Sequence, residues 1–431
     1  MRLLTGGLFV FSGFTKGIDP WGTLYKFEDY MGAMGLPDWT NLLLVATFLL
    51  CAYEFCIGVF LILGCFRRST PYCAALLMGV MLPLTLWIAL KDPVADCGCF
   101  GEAFTISNWT TFWKNVVLCL FIAWLIGHNA RLRWIIRPHL QWIAFIVSAG
   151  YITAVGLAGY VYQPLIDYRP YPTGSLFIAA DNDEAEDDEE EIHLVYQRDG
   201  VEKTFSIDDE LPDEDSGWEF VRRDIGEHKE GDTPDPDAPN TAGDFRIWDE
   251  DGEDITEEVL TDHGRELLLL MPDMGNVSVA TTLQINSMKS WAEDNDISMC
   301  AIVAGTPEEI ASWKDVSLPD YPIYTAEDTQ IKMLARGNPA VVYIDNGTIR
   351  WKTTLRALGT KDFQSPTSSN DPMHYARDNR ALLMNATYLY FIILAVLVFL
   401  SFVPGIGKFF FSTLRKGNVQ DSHTGRENIQ S

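Results

Sequence analysis

The chain has little with which to hold a nucleic acid or a metal. Against 59 Asp and Glu it sets 32 Lys and Arg, a formal charge of −27. No basic surface is available for phosphates, so nucleic acid is excluded as a partner. Histidine is scarce, seven in 431 residues, and cysteine numbers only eight. None of these cysteines forms a Cys-x-x-Cys pair, and no His/Cys quartet has the spacing of a zinc site. Charge is also missing locally. The chain is 48% hydrophobic despite its acidity, which requires segregation. Residues 1–162 and 382–403 are apolar with few charges, and most acids fall between 165 and 380.

Apolar runs of about 20 residues cross a bilayer as helices. Five are evident: Asn41–Gly64, Pro71–Leu90, Thr111–Gly127, Trp142–Tyr162 and Ala381–Val403. A sixth, Leu3 to Gly17, is shorter, with Lys16 able to snorkel at its end. No small-x-small cleavage site follows it, so it is expected to stay as a span rather than leave as a signal peptide. With six spans, Arg67 and Arg68, then Arg131, Arg133 and Arg137, then Lys408, Arg415 and Lys416 share one side. The positive-inside rule makes that side cytoplasmic. The expectation is a bacterial inner-membrane protein embedded in the lipid bilayer, with both termini cytoplasmic. The loop "DCGCFG" (Asp96–Gly101) and the acidic domain then face the periplasm, where disulfides persist.

Residues 165–242 read as an acidic linker carrying a β-hairpin. "DNDEAEDDEEE" (Asp181–Glu191) is a solvated run, without the glycine-punctuated spacing of a calcium loop. "IHLVYQRDGVEKTFSI" alternates around Asp199-Gly200, a hairpin signal. From 243 to 360 the text alternates strands and helices. "DFRIWDEDGEDIT" reads as strand, turn, strand; "ELLLLM" and "ISMCAIVAG" are buried strands. "SVATTLQINSMKSWAEDN" has helical periodicity. "TPEEIASWKD" opens on Thr306 as N-cap with Pro307 behind it. "NPAVVYIDNGTIRWK" closes the unit as a hairpin. The fold class is thus an α-helical membrane bundle of about six transmembrane helices plus an extracytoplasmic α/β domain. A linker (361–380), the sixth span (381–405) and a cytoplasmic tail (406–431) complete it.

The α/β order resembles the thioredoxin-like fold in its TlpA-like, membrane-linked form, with Asn338-Pro339 where that family places a cis-proline. After the first central strand a redox-active member would carry Cys-x-x-Cys. This chain has "MPDMGNVS", and thiolate chemistry needs a thiol. The domain is therefore expected to be redox-inactive, with Cys300 a small core residue of its strand. Residues 1–130 resemble the four-helix DoxX and MauE group through "GLFVFSGFTKGIDPWG", "MGLP", "YEFCIGVFLILG" and "DCGCFG", with 131–164 adding the fifth helix. The whole chain resembles DoxX/MauE-type proteins of the kind found in Bacteroidota. The resemblance implies thiol–disulfide chemistry or assembly of extracytoplasmic proteins and, in some relatives, quinone-linked electron transfer.

Cys97 and Cys99 are the candidate exchange residues. A disulfide across one residue closes a strained ring, and strained bridges exchange readily. The same pair also reads as a structural staple, or as half of a metal site whose other ligands are absent nearby. Cys51 lies ten residues into its span, about 15 Å deep, so no second thiol meets the loop unless the loop dips inward. Glu54 stands near mid-span, where a carboxylate costs about 3 kcal/mol and faces the bundle interior. It could bind a quinone carbonyl, relay a proton or fix the packing. Lys16 and Asp19 are placed near the same pocket. Two functions follow. One is a membrane thiol–disulfide oxidoreductase exchanging with a periplasmic or envelope protein partner and with quinone. The other is a non-enzymatic scaffold that recruits envelope proteins through its redox-inactive domain.

Overall fold

Glycines at the helix crossings set the geometry of the membrane half. In the computed structural model, α1 (Arg2–Ile18) and α3 (Thr40–Leu63) pack with backbones nearly in contact. A β-carbon added at Gly13 would stand 2.5 Å from the Phe55 amide nitrogen, and one at Gly58 2.4 Å from that of Val10. Small residues permit such approach, as membrane helices without a hydrophobic drive between them require. The structure describes residues 1–37, 39–92, 98–99, 101, 106–128, 133–177, 192–198, 201–206, 219–225, 245–260, 264–364, 366, 372 and 378–402.

Around this pair stand α2 (Pro20–Ala33), α4 (Thr70–Lys91), α5 (Asn108–Gly127) and α6 (Gln141–Val161). Phe9, Ile57 and Leu61 meet Leu77, Leu118 and Ile122 on one side of the α1–α3 crossing. Phe55, Val59 and Phe60 meet Ala144 and Ile152 on the other. Outward, Leu49, Leu76, Leu120 and Ile146 are exposed, as side chains facing lipid should be.

Among the described residues, five helices are long and apolar enough to cross a membrane: α3, α4, α5, Pro138–Val161 and Asn379–Phe402. The sixth expected span, α1, has 17 residues, about 25 Å of helix, short of a hydrocarbon core of about 30 Å. Helix α2 is not among the elements read from the sequence. Here Pro20 occupies the first turn, where its missing N–H costs nothing, and the Asp19 carboxylate caps the helix by accepting from the Gly22 amide at 3.0 Å.

Beyond the bundle, β1 (Ile192–Arg198) pairs antiparallel with both β2 (Val201–Ser206) and β3 (Glu219–Ile225). The register Arg198↔Val201 leaves two residues for the connection. The acidic run 181–191 and the tail 406–431 lie outside the described residues.

The α/β domain then runs α7 (Thr256–Val259), β4 (Arg265–Met271), α8 (Thr282–Asp294), β5 (Ser298–Val303), α9 (Pro307–Ser317), β6 (Ile323–Thr325), α10 (Asp328–Leu334), β7 (Ala340–Asp345), β8 (Thr348–Thr354) and α11 (Thr360–Gln364). Its sheet has the order β6-β5-β4-β7-β8. β4, β5 and β6 are parallel, while β7 and β8 are antiparallel. "LLLL" makes β4 central because it is apolar on both faces. Leu267 and Leu269 enter one core with Ile285, Trp291 and Trp351; Leu268 and Leu270 enter the other with Phe177, Phe245 and Ile331. A capping box between Thr306 and Glu309 starts α9. The Asn338-Pro339 bond before β7 is cis.

The entry segment departs from the expected strand pair. It is reduced to single bridges from Trp248 to Asp254 and Thr325. The Asp249 carboxylate accepts from the amides of Asp251 and Glu253 at 2.9 and 2.8 Å, and this tight acidic turn leaves no room for a ladder. The last helix, α12 (Asn379–Phe402), returns to the bundle, where Tyr390 stacks on Tyr151 of α6 with ring centroids 4.3 Å apart.

Candidate functional site

The close α1–α3 crossing brings two buried charges together. Lys16 ends the polar face of α1, with Ser12 one turn before it. Glu54 faces them from α3. The Lys16 ammonium stands 2.9 Å from Glu54 Oε2 and donates to Ser12 Oγ at 2.6 Å. Their side chains are 6% and 5% exposed, so each charge has the other as its compensation. An isolated buried charge would be prohibitive, and a paired, hydrogen-bonded one is tolerated.

The cysteine loop closes this cluster. The Cys99 carbonyl accepts from Lys16 Nζ at 2.8 Å and from Ser12 Oγ at 2.7 Å. Ser12 lies six residues before the end of α1, about 9 Å along the helix, so the loop dips into the bundle. Gly98 turns it with φ +60° against the Lys26 side chain of α2; a β-carbon there would meet Lys26 Cγ at 3.1 Å. Cys99 is half-buried. Cys97 lies outside the described residues. Of the other expected site residues, Lys16 and Glu54 meet directly. Asp19 is committed elsewhere. It receives the Arg336 guanidinium, Nε and Nη2 each 2.9 Å from Oδ2, with both side chains under a tenth exposed.

Arg336 belongs to the α/β domain and immediately precedes its cis-proline loop. The Gly337 amide donates to the Tyr25 hydroxyl of α2 at 3.3 Å, and Arg336 lies 5.5 Å from the Tyr25 ring centroid. The cis-proline loop of the α/β domain thus sits on the bundle, at the end where Cys99 enters. Gln163, just past α6, locks the same loop: its amide group donates to the Arg336 carbonyl at 2.6 Å and accepts from the Arg336 amide at 3.0 Å. Behind it, Asp167 binds Arg169 at 2.7 Å and Lys352 at 2.6 Å. Burial alone would raise the Asp167 carboxyl, but the Arg169 and Lys352 charges outweigh it and hold the group down at about 2. Burial, then the like charge of Arg169, pushes the Lys352 ammonium down to about 7 against the pull of Asp167.

A pocket opens beside the Lys16–Glu54 pair, walled by Leu8, Phe9, Phe27, Met78, Met81 and Ile88, with Ser12 and Cys99 at its polar end. Its cavity is about 70 Å³, room for about five waters. Among the described residues no group of three or more His, Cys, Asp or Glu is placed to hold a metal ion. In the α/β domain Cys300 is buried on β5, and burial raises its thiol to about 12.

Comparison with known proteins matches residues 1–127 to the family described as Methylamine utilisation protein MauE. Over that stretch the chain is MauE-like. The matched region contains α1 to α5 and with them Ser12, Lys16, Glu54 and the cysteine loop. Residues 190–225, which hold the three-stranded sheet, match a domain of unknown function, DUF8463. No curated protein matches. Among solved structures, the mitochondrial 2-cys peroxiredoxin from Plasmodium falciparum aligns at 12% identity and a TM-score of 0.20, covering 34% of this chain and 88% of that one.

Ser12 and Arg336 are the site residues that sequence reasoning misses. Ser12 had a signal, its four-residue spacing from Lys16. Arg336 had none, because its partner Asp19 is 317 residues away.

Proposed function

We propose that this is a membrane thiol–disulfide exchange protein whose MauE-like bundle presents the Cys97/Cys99 pair to an extracytoplasmic protein partner. The observation that carries the reading is the anchoring of the Cys99 carbonyl by Lys16 and Ser12 over Glu54. A structural loop at a bundle rim has no need of a buried ion pair beneath it. Such a pair does give a reacting sulfur a fixed position and a nearby cation for charge that develops on it. In the exchange, a partner thiolate attacks the Cys97–Cys99 disulfide, forming one mixed bond and releasing one thiolate of the pair. The partner's second thiolate then attacks the partner sulfur of that mixed bond and expels the remaining cysteine of the pair as a thiolate, so the partner leaves with its own disulfide and the pair is reduced; the reverse direction reduces a partner disulfide. Resetting the pair needs an oxidant, and a membrane quinone is the class proposed for it.

Six spans, counting the short α1, with the α/β domain periplasmic and both termini cytoplasmic, suit this reading. The cysteine loop and the domain's docking contact both lie at the Lys16–Asp19 end of α1. The domain's order of strands and helices and its cis-proline favour a thioredoxin-like docking module. Its lack of Cys-x-x-Cys and its buried Cys300 favour the second reading, a scaffold that recruits envelope proteins without exchanging with them. Mixed-disulfide trapping separates the two. Cys97→Ser leaves Cys99 able to form a mixed bond that the pair cannot resolve, so a reductant-sensitive adduct accumulates in cells and is lost in Cys97→Ser/Cys99→Ser. No adduct, with the thiol state of envelope proteins unchanged, would leave the scaffold.

A further inference from the structure

The cysteine loop does not stay at the membrane surface, and this changes which thiols are near it. Cys51 lies on α3 three residues before Glu54, hence on the same helix face. It is 3% exposed, and its backbone packs against α1 at Gly13, where an added β-carbon would stand 2.9 Å from the Cys51 carbonyl oxygen. The Lys16 ammonium, fixed 2.8 Å from the Cys99 carbonyl, also meets Glu54, which lies one turn of α3 from Cys51. Cys56 and Cys119 show no such connection. Cys56 packs on the α6 and α12 side of α3, and Cys119 among the α4–α5 contacts.

We infer that Cys51 is a third exchange thiol, the internal partner of Cys99. The inference rests on the exchange reading above. A sulfur bridged to Cys99, whether that of Cys97 or of a client protein, is displaced by Cys51. The Cys51–Cys99 bond forms, the old Cys99 bond breaks, and the displaced sulfur leaves as a thiolate. The proton shed by Cys51 ends on that thiolate, so no electrons enter or leave. Glu54, one turn from Cys51 and hydrogen-bonded to Ser12 and Lys16, is the carboxylate placed to carry the proton between them. The result moves a disulfide from the exposed loop into the bundle and frees the client.

The test uses the full chain. Purified wild-type protein is oxidised mildly, blocked with an alkylating agent, digested and mapped by mass spectrometry. A Cys51–Cys99 linked peptide is expected in wild type and in Cys97→Ser, and not in Cys51→Ala. A disulfide needs the two Cα atoms within about 7 Å, so the link also reports that the loop reaches α3. In cells, Cys97→Ser/Cys51→Ala should accumulate several-fold more client adduct than Cys97→Ser, because the internal resolving thiol is gone. Should Cys51 be packing only, no Cys51–Cys99 peptide forms and the adduct level is the same in both variants, which overturns the inference while exchange at Cys99 stands. Loss of the adduct in every variant would overturn exchange itself, and peptide mapping of the purified wild type still decides the Cys51 question.

Discussion

Replacing Lys16 by Met should destabilise the bundle more than replacing Lys16 and Glu54 together. The pair is 2.9 Å apart with both side chains about 95% buried. Removing one member of such a pair costs about 3–5 kcal/mol, because the other is left as an uncompensated buried charge, whereas replacing both with apolar residues of similar volume is often neutral or better. Lys16→Met leaves Glu54 only the Ser12 hydroxyl at 2.8 Å and removes the ammonium from the Cys99 carbonyl, so it should fall at the upper end, about 5 kcal/mol. Glu54→Leu leaves Lys16 its bonds to Ser12 and Cys99 and should fall nearer 3 kcal/mol. Lys16→Met/Glu54→Leu should lose less than either single variant. The measurement is reversible unfolding of the detergent-solubilised protein, followed by tryptophan fluorescence. Alkylation of Cys99 gives a second readout: it should quicken in Lys16→Met, where the loop loses its anchor, more than in Glu54→Leu. If the double variant loses as much as the two singles added together, the charges are not coupled and the account of the site is wrong.

Asp19→Ala strands the Arg336 guanidinium against the bundle. The cost of about 3–5 kcal/mol for an orphaned buried charge is relieved by undocking, so hydrogen exchange at residues 336–338 should accelerate while β4 and β5 stay protected. Equal protection in both proteins would refute the latch. Lys352 makes stability pH-dependent with a definite sign. Its ammonium is pushed from 10.5 to about 7 in the folded domain, so between those values the unfolded chain binds a proton that the folded one does not, and stability rises with pH. Thermal melts of Lys352→Met across that range should lack the rise. Cys300, with its thiol raised to about 12 by burial, should resist maleimide below pH 9 in the native protein and react only on unfolding; rapid native labelling would contradict its place in the core.

The elements readable in advance are those whose information is local. The continuous apolar run "LLLL", the Thr306–Pro307 helix start and the Asn346-Gly347 turn each place an element within a residue or two of where it stands. The site is half readable for the same reason. An acid in mid-span calls for a buried partner, and Lys16 is the cation at hand. What stays hidden is long-range. The Asp19–Arg336 pair joins two segments that each read as ordinary surface charge, and only the fold makes them neighbours. Helix α2 starts on a proline that suits a first turn, and only the Asp19 cap on the Gly22 amide marks that start. The depth of the cysteine loop could not be read either, because it depends on Ser12 and Lys16 pulling a carbonyl inward. That inward pull is what brings Cys51 into consideration.

The chain's return from the bundle has a consequence for how clients are met. β8 begins its contact with the membrane half with no spacer: the Thr354 amide donates to the Tyr162 carbonyl at 2.9 Å, and its hydroxyl bonds that of Val161, the last residue of α6. A domain seated this way is held to the end of α6 by hydrogen bonds rather than hung on a free tether. On the exchange function proposed above, the domain is a fixed berth beside the bundle, and a client has to bring a reactive segment long enough to reach Cys99.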